Sequence, residues 1–156
     1  MGPEERLGEL GLTLPAVRRS AGAYVPFRWA GSLLFLSGRG PARVDGSFVT
    51  GKVGLDVSVA EARLHARDAG LQLLAAAKAA LGDLGRIGAV VKLTGMVNAV
   101  ESFTEHPAVI DGCSQLLVDV LGGAGRHART SFGVASLPHA MTVEVEAVVW
   151  ADHPRG

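Results

Sequence analysis

One cysteine, one tyrosine, two tryptophans and no excess of either charge among 156 residues exclude several functions at once. The single Cys113 cannot form an intrachain disulfide, and no signal-peptide pattern opens the chain, so a reducing cytoplasmic setting is the expectation. Fifteen basic residues balance fifteen acidic ones, which gives no attraction for polyanions, and aromatics make up only 5% of the chain. With neither a basic stripe nor a row of stacking rings, nucleic acid is not an expected partner. Charges interrupt the apolar stretches before they reach bilayer length, so no membrane span is expected. His65, His106, His127, His139 and His153 are scattered without ligand spacing, and neither HExxH nor paired CxxC occurs. No metal site is expected. The run Gly122-Gly123-Ala124-Gly125 lacks the Lys-Ser/Thr of a phosphate loop.

What the chain has is small apolar residues: hydrophobic content is 48%, with 21 glycines. Its length suits one domain with a real core. Ser58 and Glu61 form a capping box ahead of a helix to Leu81, whose apolar stripe is Ala62, Ala66, Ala69, Leu73, Ala77 and Leu81. A second helix is predicted from near Pro107 to Leu121, capped by Thr104 or His106, with Val109, Ile110, Cys113, Leu117 and Val120 inward. Cys113 on that stripe reads as a small core residue and not a nucleophile. Strands are predicted over Tyr24–Trp29, Leu33–Ser37 and Ile87–Val97, the first irregular at Pro26, with a short hairpin near Asp45. A short helix is predicted within Pro3–Leu12.

The segment from Arg126 to Trp150 carries the most information. Two strand-like runs flank Leu137-Pro138, which predicts a β-hairpin. In the second run Val143, Val145, Ala147 and Val149 alternate with Thr142, Glu144, Glu146, Val148 and Trp150, so one face suits a core. The other mixes carboxylates with large apolar groups and calls for a cover, either a subunit or a ligand. The resulting order β-β-α-β-α-β-β predicts an α+β layer, two long helices against one face of a mixed sheet, with the opposite face free for self-association.

Ala128-Arg129-Thr130-Ser131, Ala135-Ser136-Leu137-Pro138 and Val143-Glu144-Val145-Glu146-Ala147 resemble the C-terminal signature of the RidA (YjgF) family, and Gly22-Ala23-Tyr24-Val25 with Leu36-Ser37-Gly38 resembles its N-terminal site region. The resemblance implies a chorismate-mutase-like fold, a homotrimer with sites at subunit interfaces, and hydrolytic deamination of enamines or imines such as 2-aminoacrylate to a keto acid and ammonia. It implies an N-terminal extension over 1–19, a RidA/YjgF-like domain over 20–151 and a tail over 152–156. By the same resemblance Arg129 clamps the carboxylate of an imino or keto acid, Glu144 activates water, Tyr24 closes the pocket, Gly38 offers its backbone carbonyl, and Ser131 supports the clamp. No cofactor is implied, because an iminium carbon is already electrophilic. Two departures stand out: His127 where the archetype has proline, and Asp111, or Gly112 if the gap is set differently, where it has asparagine. They keep open a second reading, a non-catalytic trimer that binds a carboxylate metabolite.

Overall fold

The computed structural model describes residues 1–152, so His153 and the rest of the predicted tail beyond Asp152 lie outside the described residues. The elements run α1 (Pro3–Glu9), β1 (Phe27–Ala30), β2 (Leu33–Arg39), α2 (Val59–Leu81), β3 (Ile87–Asn98), α3 (His106–Leu121), β4 (Ala128–Val134) and β5 (Val143–Ala151). The strands form one sheet in the order β1-β2-β5-β3-β4, antiparallel except for the parallel β3–β4 pair. This is the predicted mixed α+β arrangement.

Local chemistry accounts for the helices. Ser58 Oγ accepts the Glu61 amide at 3.2 Å while Glu61 Oε2 accepts the Ser58 amide at 2.8 Å, closing the box that starts α2. Gly82, at φ 79°, ends it. The cap of α3 is instead Glu105, without a side-chain cap bond, where Thr104 or His106 was expected. Pro107 in the first turn needs no amide partner there and sets the helix start without one. All six residues of the predicted α2 stripe are buried, as are Val109, Ile110, Cys113, Leu117 and Val120 of α3. His106–Gly125 has the length and mean hydropathy of a membrane span, yet half of it is buried within the fold. Its apolar side already has a protein partner.

The hairpin expected over Arg126–Trp150 does not form. β4 lies at the sheet edge beside β3, and β3 separates it from β5. The eight residues between β4 and β5 are too many for a tight two-residue turn. They carry the chain over the end of β3 through a short turn at Pro138–Ala140, where His139 and Ala140 take positive φ. β3, α3 and β4 form the helical crossover that a parallel pair requires. β2, read as a buried strand, is interior to the sheet but half covered: Leu34 and Leu36 are buried and Phe35 is 44% exposed. Near Asp45 the chain does turn back, with an Ala42–Phe48 bridge and Gly46 at φ 85°.

Glycines set the helix spacing. A Cβ at Gly112 of α3 would collide with the Arg63 carbonyl of α2, and one at Gly70 would press on Cys113 and Leu116. Backbone cannot move aside as a side-chain tip can, so Gly112→Ala is expected to destabilise the fold by about 1–3 kcal/mol in denaturant unfolding. Gly123→Ala, with open space around its Cβ, is the control expected to change little.

Candidate functional site

β5 pairs on both edges, and its alternation gives the sheet two unlike faces. Val143, Val145, Ala147 and Val149 are buried beneath the helices. Glu144 and Glu146 stand on the helix-free face, opposite Met96 and Thr94 of β3. On the β2 side the ladder is irregular: Leu36 pairs Ala147 and Arg39 pairs Val145, so Ser37 and Gly38 together face a single residue. This bulge brings the bare Cα of Gly38 against Glu144, and a Cβ there would collide with Glu144 Oε1. Burial, with Glu146 as a second and smaller cause, raises the Glu144 carboxyl above its ordinary value.

Next to this pair a groove of about 500 Å³ is lined by Tyr24, Arg28, Ser37, Lys92, Thr94 and Glu146, among others. Tyr24 is 57% exposed at its rim. Ser37 Oγ donates to the Val25 carbonyl at 2.6 Å and ties the Tyr24 segment to β2. Lys92 Nζ donates to Thr130 Oγ1 at 2.9 Å across β3 and β4. Gly38 and Glu144 therefore meet on the helix-free face, and Tyr24 and Glu146 line the groove next to them.

Arg129 and Ser131 belong elsewhere. On the edge strand β4 Arg129 turns toward α3, where Nη1 donates to Asp111 Oδ1 at 2.7 Å and Ser114 Oγ at 3.1 Å. Nη2 reaches the Pro107 carbonyl only at 3.5 Å. Ser131, two residues on, lies on the same side of the strand and pairs Gly95. Two strand spacings, about 10 Å, and the thickness of the sheet separate Arg129 from the Glu144 side. Within one chain the five residues form two half-sites on opposite faces.

Sequence reasoning missed the support behind Arg129. His127 Nδ1 lies 2.6 Å from the Gly125 carbonyl, which can only accept, so Nδ1 carries the proton and Nε2 accepts from Ser114 Oγ at 2.9 Å. Ser114 passes this order on by accepting from Arg129. The signal was present as spacing, since Asp111 and Ser114 are three apart on one helix face. Cys113, fully buried, has its thiol pushed up to about 12 and stays protonated. Among the described residues no cluster of three or more His, Cys, Asp or Glu could hold a metal.

A carboxyl held above its unfolded value binds its proton more readily in the folded chain. Its contribution to stability is present at acid pH and lost as pH rises through the folded value. Glu144→Gln, neutral throughout, is expected to resist urea better than the native protein at pH 7. The two should converge well below about pH 4, where the Glu144 carboxyl is neutral in the folded and the unfolded chain alike. Equal midpoints at both pH values would show that Glu144 ionises without penalty.

Residues 4–148 match the family model described as "YjgF/chorismate_mutase-like, putative endoribonuclease". Protein TCP17 of Trypanosoma cruzi is 43% identical over 144 residues, covering 92% of this chain and 90% of that protein. A crystal structure of a protein of unknown function from Agrobacterium tumefaciens is 47% identical, with a TM-score of 0.90 and coverage of 96% of this chain and 92% of the other. A structure from Shewanella oneidensis, titled a putative endoribonuclease, is 35% identical with a TM-score of 0.93, covering 96% and 99%. With nearly its whole length matched and its sheet order and helix layer shared, the chain belongs to the YjgF/chorismate-mutase-like family.

Proposed function

We propose that this protein hydrolyses reactive enamines and imines of the 2-aminoacrylate type to a keto acid and ammonia, at sites completed between three copies of the chain. The observation that carries the reading is Glu144: a carboxylate with a raised pKa, held against a glycine on a sheet face that its own chain leaves without helices. Phe35, Phe132 and Trp150 are 44%, 41% and 47% exposed, and by register Phe132 aligns through Met96 with Glu144. Exposed apolar groups of this size on the same sheet face as the partly desolvated Glu144 favour a covering copy. Such a copy would bring the Arg129 half-site of one chain to the Tyr24–Gly38–Glu144 half-site of another.

In the proposed reaction an enamine is first protonated at carbon to give the iminium. Glu144 takes a proton from water as the water oxygen bonds to the C=N carbon, and the C=N electron pair moves onto nitrogen. Glu144 passes that proton to the nitrogen, and as ammonia leaves the carbinolamine hydroxyl returns its proton to Glu144 and becomes the carbonyl. Arg129 clamps the carboxylate attached to the imine carbon, with Ser131 beside it. The Gly38 carbonyl accepts from the substrate nitrogen, and Tyr24 closes the rim. A general base of this kind contributes about 10²–10⁴-fold.

Ammonia and keto-acid release from imines generated in situ by an amino-acid oxidase, with semicarbazide as competing trap, tests the reading. The native protein is expected to outcompete the trap. Glu144→Gln is expected to lose about 10²–10⁴-fold, and Arg129→Ala to lose turnover while keeping the assembly. Because Glu144 must be ionised, the acid limb of kcat/KM is expected above the ordinary carboxylate range. Full activity in Arg129→Ala would overturn its role. A folded protein that never competes with the trap would favour the binding-only reading, and RNA cleavage abolished by Glu144→Gln would favour an endoribonuclease, as the Shewanella oneidensis protein is described.

A further inference from the structure

The Arg129 half-site is not a bare cation. Its nearest neighbour is the carboxylate of Asp111, and the two make an ion pair at 2.7 Å on the rim of the fold, with Asp111 48% and Arg129 22% exposed. Among the described residues Asp111 uses only Oδ1, leaving Oδ2 without a hydrogen bond. Arg129 Nη1 is occupied twice, by Asp111 and Ser114, whereas Nη2 has only the long contact to the Pro107 carbonyl. His127 and Gly125 hold Ser114 in turn, which keeps the guanidinium turned the same way. What remains open to a ligand, among the described residues, is Nε–H and Nη2 of Arg129 together with the acceptor Oδ2 of Asp111.

A carboxylate matches this edge poorly. It can accept from Arg129, but it has no proton for Asp111 and places a second negative charge a few ångströms from the first. Like charges at that range cost binding that hydrogen bonds to Arg129, already paired with Asp111, only partly offset. A carboxamide or ureide end matches it on both counts: the C=O accepts from Nη2–H and the N–H donates to Oδ2. It is also neutral, as the ion pair is.

From this juxtaposition we infer that Asp111 is a specificity residue, and that the site takes an imine or carbonyl compound ending in a neutral amide or ureide in preference to a simple 2-imino or 2-keto acid. The inference rests on the proposed placing of Arg129 at the substrate. It changes the substrate's terminus and leaves the hydrolysis of its C=N bond as described.

Pyruvate and pyruvamide differ in little but this terminus, and each can be titrated calorimetrically into the full-length assembled protein. Pyruvamide is expected to bind at least about tenfold tighter than pyruvate, a difference of about 1.4 kcal/mol. Asp111→Asn, which removes the charge and adds a donor at nearly constant volume, is expected to tighten pyruvate by about tenfold and reverse the order. Asp111→Ala should tighten pyruvate without restoring the amide contact, and Arg129→Ala should weaken both probes. Raising the salt concentration to 1 M, where screening acts over about 3 Å, should narrow the native preference, a change that a merely structural Asp111 would not produce.

Pyruvate binding as tight as pyruvamide, an order unchanged in Asp111→Asn, or no saturable binding of either probe would each overturn the inference. The deaminase reading is judged separately by ammonia release. Turnover of 2-iminopropanoate with pyruvate preferred would sink only the role of Asp111. An Asp111-dependent amide preference without any imine turnover would sink only the deaminase.

Discussion

A strand hydrogen-bonded on both edges cannot slip by one residue without turning every side chain over, and β5 is such a strand. Its register places Val143, Val145, Ala147 and Val149 under the helices and Glu144 and Glu146 on the opposite side. A single step would bury two carboxylates with no partners and expose the centre of the core. The cost of burying unpaired charge is far larger than any local preference along the strand. The position of Glu144 is thus fixed by the apolar residues on either side of it. Everything on the helix-free face, from the groove beside Tyr24 to the approach of Gly38, inherits that alignment.

The parts of the fold legible in the sequence were those whose signal is local. The Ser58–Glu61 box, the stripe from Ala62 to Leu81 and the alternation of β5 each need only a few consecutive residues, and each appears in the structure. The hairpin was misread because a turn signal at Leu137-Pro138 says that the chain reverses and not what lies between the reversed strands. Insertion of β3 between β4 and β5 is a non-local choice. The spacing held a clue: β3 and β4 are joined by a long apolar helix, the connection that parallel neighbours need.

The site was legible by residue type and not by assembly. Arg129 and Glu144 stand out from the sequence as a rigid cation and a carboxylate flanked by apolar residues. Nothing local says that they lie on opposite faces, since that depends on which edge β4 occupies and on the pull of Asp111 in α3. His127, which looked like a mere departure from the archetype, is accounted for by its contacts: it sets the direction of the Ser114 hydroxyl behind Arg129. A proline could not have done this.

The bulge in β2 bears on how the protein tolerates change. Between the Leu36–Ala147 and Arg39–Val145 pairs, β2 carries one residue more than ladder pairing requires. Shortening the loop there by one residue would leave both flanking pairs available and make the ladder regular. It would also remove the opening through which backbone, with no side chain in the way, meets Glu144. The surplus residue is thus what lets β2 backbone, in place of a side chain, lie against Glu144.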